Sequence, residues 1–310
     1  MANKLNTTYI IIDAYGEVNI YRYVYFVIIF TAYVLIICSN FTIVCLIWIH
    51  ENLHEPMYVF IAALLLNSVL YSTSIYPKLL IDLLSEKQVI SYSACLCQFF
   101  MFYTFGSSEF LLLAAMAYDR YVSICKPLHY TTIMTKTTIS LSLILAWFLP
   151  ACHTLLPVLV MVSDDIKLCD FTLKGILCNN SLYKLYCESS QALTISGGVA
   201  LINVVLFPLL FILFTYSKIL LISYKSCAEV RKKAAQTCLP HLLVLLSVFC
   251  LGSYDIIIVR MESDFPKTAR LIMTLLLILY HPLFNPIIYG LKMKEISMHL
   301  KRLFYSSKMI

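Results

Sequence analysis

Charge and glycine are what this sequence has least of. Only 13% of its 310 residues are Asp, Glu, Lys or Arg, against about a quarter in soluble domains, while 61% are hydrophobic. A mean hydropathy of +0.84 belongs to a chain that lives in a bilayer. Seven glycines and the lack of any charged low-complexity tract exclude a collagen-like, disordered or long-armed nucleic-acid-binding protein. Ten-residue alternating strands with turn signals are missing as well, which excludes a membrane barrel and leaves helices to satisfy the backbone in lipid. No internal repeat of comparable halves is found, as a transporter built from inverted repeats would show. Residues 1–21 include Asp13 and Glu17 and lack the basic start and apolar centre of a cleaved signal peptide. The first span is therefore expected to act as an uncleaved signal anchor.

What is present is a series of apolar runs near 23–49, 57–82, 95–118, 138–162, 191–222, 234–259 and 269–290. Each reaches the roughly 20 residues that cross a hydrocarbon core of about 30 Å at about 1.5 Å per residue. The expected fold is all-α, a seven-transmembrane helix bundle followed by a short amphipathic C-terminal helix. Basic residues set its orientation. With the N-terminus outside, the inner segments carry 13 Lys and Arg against five acids, and the outer segments ten against eleven. The excess of positive charge thus lies inside, which puts residues 1–22 outside the cell, 23–290 in the membrane domain and 291–310 in the cytoplasm. Two glycosylation sequons then face the lumen, at Asn6 and Asn179, whereas the one at Asn40 is buried in the first span.

Of twelve cysteines, Cys95 opens the third span on the outer side, and Cys169, Cys178 and Cys187 follow one another at intervals of nine in the long outer loop. Four cysteines in an oxidising compartment allow three pairings that spacing does not rank. The other eight lie in or just inside the membrane and serve as small apolar side chains.

Three groups of residues invite a chemical reading. His50-Glu51-Asn52-Leu53-His54 spells H-E-x-x-H, a zinc-protease pattern when helical. Pro56 follows too closely for a helix, and no third ligand stands near, so a short inner turn is expected, with no metal and no catalysis. Glu109 is an acid inside a span, where ionisable groups are costly and need partners. It lies eleven residues before Arg120 on the same helical face, and Asn40, Asn67, Ser68 and Asn285 are polar residues at mid-span elsewhere. The carboxyl is either structural or part of a switch. Asp119-Arg120, at the inner edge of the third span, can form a local ion pair that opens when a partner docks.

Residues 116–125, M-A-Y-D-R-Y-V-S-I-C, resemble the M-A-Y-D-R-Y-V-A-I-C signature of the olfactory receptors, within the rhodopsin-like seven-helix receptors. Three further motifs resemble the same family in order: L-H-E-P-M-Y at 53–58, K-K-A-A-Q-T-C-L-P-H-L at 232–242 and P-L-F-N-P-I-I-Y at 282–289. The wording Y-P-K-L-L-I-D-L-L-S at 76–85 is most similar to receptors of fishes. The resemblance implies an odorant receptor of the plasma membrane of olfactory sensory neurons. It binds a small, water-soluble odorant without any cofactor, and activates a stimulatory olfactory-type G protein that raises cyclic AMP. Position by position, it implies bridges Cys95–Cys178 and Cys169–Cys187. It implies that Arg120 is held by Asp119 at rest and meets the G protein when active, with Tyr216 and Tyr289 rearranging beside it. His241, Asn285 and Pro286 join the same inner relay, and Trp147 is a packing residue. One departure stands out: most relatives have a second-span aspartate where this chain has Ser68, so a sodium site shared with Glu109 lacks one of its acids.

The same resemblance implies an outer-half cavity between spans three, five, six and seven. Helical spacing selects Tyr103, Gly106 and Ser107 in the third span, and Phe249, Ser253, Ile256 and Arg260 in the sixth. Arg260 is placed to clamp a carboxylate, or alternatively to pair with Glu262 or Asp264; Asp255 is placed to receive an amine, or to cap a helix. On the inner side, Lys225, Arg231, Lys232 and Lys233 flank spans five and six. Lys292, Lys294, Lys301 and Arg302 with Leu300, Leu303, Phe304 and Tyr305 form an amphipathic stretch suited to anionic lipid.

Overall fold

The computed structural model describes residues 8–13, 21–163, 167–187, 190–224, 242–247, 249–252 and 267–306. Its helices follow the apolar runs: α1 (Arg22–Ile49), α2 (Pro56–Leu84), α3 (Tyr92–Cys125) and α4 (Lys136–Val162). The fifth, α5, is made of Gln191–Leu201, a π-helical turn Ile202–Leu206 and Phe207–Tyr224. Then come α6 (Leu242–Gly252), the described part of the sixth span, α7 (Lys267–Lys292) and the amphipathic α8 (Lys294–Ser306). Six of these are long and apolar enough by themselves to cross a membrane. The chain is a multi-pass membrane protein with the seven-helix bundle architecture.

Local chemistry explains the helix ends. Pro56 occupies the first turn of α2, where its missing N–H costs nothing, and Glu55 before it is extended. Ser91 and Thr135 cap α3 and α4, their hydroxyls accepting from the amides of Ala94 and Thr138. The third helix is longer than its apolar run. It continues through Asp119-Arg120 to Cys125 and stops at Lys126, whose backbone leaves the helical region ahead of Pro127. The ion pair is therefore embedded more than a turn inside the helix instead of closing it.

Prolines inside helices strip carbonyls of their usual donors. Pro286 has no N–H to give to the carbonyl of Pro282, one turn earlier in α7. The Asn40 amide of α1 donates to that carbonyl at 2.8 Å, and also to Ile36 O at 2.8 Å. A buried asparagine of one helix thus replaces the bond that a proline of another removes, which lipid itself cannot do.

Two hydrophobic cores divide the bundle. The inner one gathers residues such as Met116, Tyr216, Val244 and Tyr289, and the outer one Ile75, Phe99, Leu185 and Ile278. Over the outer core lies a feature the helical reading missed, a three-stranded sheet in the order β2-β1-β3. Strand β1 (Tyr9–Ile12) pairs antiparallel with β2 (Val89–Ser91), Ile10 opposite Ile90, and parallel with β3 (Thr172–Leu173), Ile12 opposite Leu173. Ile10 and Ile12 are buried while Tyr9 and Ile11 face out, the period of two expected of a strand with one packed face.

Candidate functional site

Two sites are built on α3, one at each end. At the outer end the long loop after α4 is fastened to the helix. Cys95 is bridged to Cys178 and Cys169 to Cys187, with Cα separations of 5.4 and 4.9 Å. Beside the first bridge the Cys178 amide donates to Gln98 Oε1 at 3.0 Å, and the Asn180 amide donates to the Tyr103 hydroxyl at 2.9 Å. The loop descends as a 3-10 turn, Asn180–Leu185, and Tyr186 meets the Tyr92 hydroxyl at 2.8 Å. Burial pushes the Tyr183 phenol up to about 12, so it stays a neutral hydrogen-bonding group.

Beneath this lid lies a cavity of about 310 Å³. Its walls are Phe99, Tyr103 and Ser107 of α3, His153, Thr154 and Pro157 of α4, and Asn180 and Tyr183 of the loop, completed by the stretch of α5 from Leu193 to Val205. Of the residues expected to shape a pocket, Tyr103 and Ser107 line it. Gly106 points elsewhere: a Cβ there would meet the Tyr71 ring of α2 at 3.7 Å, because one helical step turns it by about 100° from Ser107. Phe249 on α6 is 37% exposed and does not line the cavity. Ser253, Asp255, Ile256 and Arg260 lie outside the described residues, as do Asn6, His241 and the basic cluster 225–233. Asn179 is half-buried, its side-chain oxygen accepting from both the amide and the hydroxyl of Ser181.

The expected cavity between spans three, five, six and seven named span five without any of its residues and did not include α4, and among the described residues none of α6 or α7 lines this cavity. His153, Thr154 and Pro157 carry no motif. On α5 the one local signal was Gly197-Gly198, two of the chain's seven glycines side by side in a span.

At mid-depth Glu109 is buried and accepts from the Asn285 amide at 3.0 Å, and the same amide reaches the Ser68 hydroxyl at 3.2 Å. Of the four polar candidates, Asn285 is the direct partner and Ser68 completes the cluster. Asn67 is occupied between helices: it donates to Phe105 O at 2.9 Å and accepts from the Trp147 indole at 3.1 Å. Trp147 therefore does more than pack, since it ties α4 to α2. Glu109 is the one carboxylate of this cluster, with the Ser68 hydroxyl where the family pattern has the second acid of a sodium site.

At the inner end Asp119 is fully buried. Its Oδ2 accepts from Arg120 Nε at 3.0 Å and Nη2 at 2.6 Å, and its Oδ1 accepts from the Tyr130 hydroxyl at 2.8 Å. Burial and the adjacent Asp119 charge hold the Tyr130 phenol well above its ordinary range, keeping it a donor. Tyr216 of α5 and Tyr289 of α7 are both buried in the inner core, and Pro286 shapes α7 between Asn285 and Tyr289. The H-E-x-x-H stretch is a 3-10 turn, Glu51–Leu53, not a helix. His50 lies against His299 of α8 with ring centroids 3.8 Å apart and planes tilted by 48°, while His54 bonds the Trp48 carbonyl.

A family profile described as olfactory receptor matches residues 29–307. Olfactory receptor 4B1 of Homo sapiens is 33% identical over 314 residues, covering 98% of this chain and 97% of its own length. Olfactory receptor 4B13 of Mus musculus is 32% identical over 305 residues, 95% of each chain. Among solved structures, squid rhodopsin superposes with a TM-score of 0.72 at 16% identity, over 93% of this chain and 87% of that one, which shows the fold. The ion pair of α3, the bridged outer lid and the matches along the whole chain agree: this chain belongs to the olfactory receptor family of seven-helix G-protein-coupled receptors, proteins that detect ligands and do not catalyse reactions.

Proposed function

We propose that this odorant receptor binds its ligand in the outer cavity between α3, α4, α5 and the lid, and activates a stimulatory olfactory-type G protein that raises cyclic AMP. It works at the plasma membrane with its N-terminus outside and its basic inner face against anionic lipid. The observation that carries the reading is that one helix holds both sites. Ser107 lines the cavity, Glu109 lies half a turn below it, and Arg120 sits thirteen residues beyond Ser107, about 20 Å along the axis. A ligand that prefers a shifted α3 biases the Asp119–Arg120–Tyr130 contact by the difference in its affinity for the two arrangements. Arg120 is then freed for the G protein, with Tyr216, Tyr289, His241, Asn285 and Pro286 as the groups that rearrange.

The test is cyclic AMP in cells expressing the full chain with an olfactory-type G protein, screened against alcohols, ketones, acids, amines and amino acids. Responses that vanish in Arg120→Ala and weaken about tenfold or more in Ser107→Leu support the proposal. Responses that survive Ser107→Leu unchanged place the ligand elsewhere. In the same cells, glycosidase treatment of Asn6→Gln and Asn179→Gln variants reports which sequon carries sugar.

A further inference from the structure

Gly197 and Gly198 have no counterpart elsewhere in the bundle and no role in the machinery above. A glycine pair inside a helix is unfavourable by about 1 kcal/mol per residue relative to alanine, so the sequence bears a cost here. Neither glycine relieves crowding: a Cβ built on either meets nothing within 4 Å. Both line the cavity from adjacent rows of α5, Gly198 on the row Thr194, Gly198, Leu201, Val205 and Gly197 on the row Leu193, Gly197, Ala200, Val204, each at intervals of four, three and four. What the missing side chains leave is therefore room.

The described wall of this cavity contains no Lys, Arg, Asp or Glu. Its polar side chains are the hydroxyls of Tyr103, Ser107, Thr154, Tyr183 and Thr194, the Asn180 amide and the His153 imidazole. A carboxylate or ammonium moved from water into such a wall loses hydration with no opposite charge to replace it, whereas an alcohol or carbonyl needs only one hydrogen bond. A cavity of about 150 Å³ holds benzene, so about 310 Å³ suits an uncharged molecule of roughly twice that size.

Resting on the cavity as the odorant site, we infer that the receptor takes an uncharged, mainly apolar ligand with one hydrogen-bonding group, and that Gly197-Gly198 sets the upper limit of its size. A side chain added at either position occupies the volume that the largest accepted ligand fills, and leaves a short ligand its place against α3.

The experiment uses the full chain with cyclic AMP as readout, and a probe series of straight-chain alcohols and 2-ketones from about four to about twelve carbons, each with its matching carboxylate and amine. Gly197→Ala, Gly198→Ala and Gly198→Val are compared with the wild type at equal surface staining. The alanine variants favour the helix, so loss of folding does not mimic the result. The expected result is a selective loss. The longest active homologue weakens about tenfold or more, the shortest is unchanged, and the best length moves down. Equal effects on all lengths, or none, overturn the size limit while a Ser107→Leu defect leaves the cavity reading standing. Strongest responses to carboxylates that require Arg260, or to amines that require Asp255, overturn the uncharged class. Length-dependent responses indifferent to Ser107→Leu, or silence of the wild type toward the whole series, overturn the inference together with the cavity reading.

Discussion

The outer and inner halves of the bundle are held together by different kinds of interaction. Around the outer core the chain is closed covalently: two disulfides, a three-stranded sheet and a loop hung on Gln98 and Tyr103 fix the lid over the cavity. Around the inner core, beside its apolar packing, the described side-chain ties are noncovalent, namely Asp119 with Arg120 and Tyr130, Asn285 with Glu109, and His50 with His299. The difference matches the two tasks proposed for these halves, ligand binding outside and G-protein activation inside. A binding cavity gains affinity from a preorganised wall, since ordering is not paid for at each binding event. A signalling face needs contacts worth a few kcal/mol that a ligand's differential affinity can overcome.

The comparison breaks most severely at the disulfides. The bridge Cys95–Cys178 closes 83 residues and Cys169–Cys187 closes 18, so chain entropy assigns them about 4–5 and about 3 kcal/mol. Cys178→Ser is expected to abolish surface expression and Cys187→Ser to reduce it, as read by surface staining of intact cells. Equal effects would mean that the lid does not depend on the longer closure.

Next in size are the buried amides. Asn40→Ala leaves the Pro282 carbonyl without its donor, and Asn285→Ala strips Glu109; each is expected to cost about 1–3 kcal/mol. Thermal inactivation of detergent-purified receptor measures both, and Glu109→Gln, which keeps an accepting oxygen, is expected to shift it less than Asn285→Ala.

A smaller effect distinguishes the inner contact from scaffolding. Tyr130→Phe removes one hydrogen bond to Asp119 and leaves the Arg120 pair. Basal cyclic AMP is expected to rise by up to about tenfold, the equivalent of about 1.4 kcal/mol. An unchanged basal level at equal expression would make the contact structural in both states.

The smallest effect concerns α8. His299 is packed out of water and against the His50 ring, with Arg302 also near and Glu295 partly opposing, and its pKa is held below the usual 6.5. Asn52 completes its surroundings at 3.2 Å. The unfolded or undocked imidazole therefore binds its proton more readily, so docking of α8 is fully stable above about pH 6.5 and weakens as the pH falls through that value. Limited proteolysis within α8 between about pH 7.5 and about pH 5.5 is expected to accelerate, and His299→Phe to flatten the dependence.

Much of this was readable before any coordinates. Seven apolar runs, the basic inner loops and the motifs at 53–58, 116–125 and 282–289 specify the bundle and the Asp119–Arg120 pair, because span length, charge asymmetry and an adjacent dipeptide are local properties. Strand β1 escaped notice because four residues carry too little periodicity and their partners lie about 80 and 160 positions away. Gly106 was placed in the cavity because spacing along one helix gives relative faces, not which neighbour each face meets.

What the sequence by itself determined is the helical architecture and the family, since both rest on composition and short-range order. Only the tertiary structure decided that Asn285 serves Glu109, that Asn40 repairs the bond Pro286 removes, and that the cavity is walled by α4 and the glycine pair of α5. Each of these depends on side chains from separate helices meeting at one depth, and the packing angles that bring them together are a sum over the whole bundle, encoded at no single position.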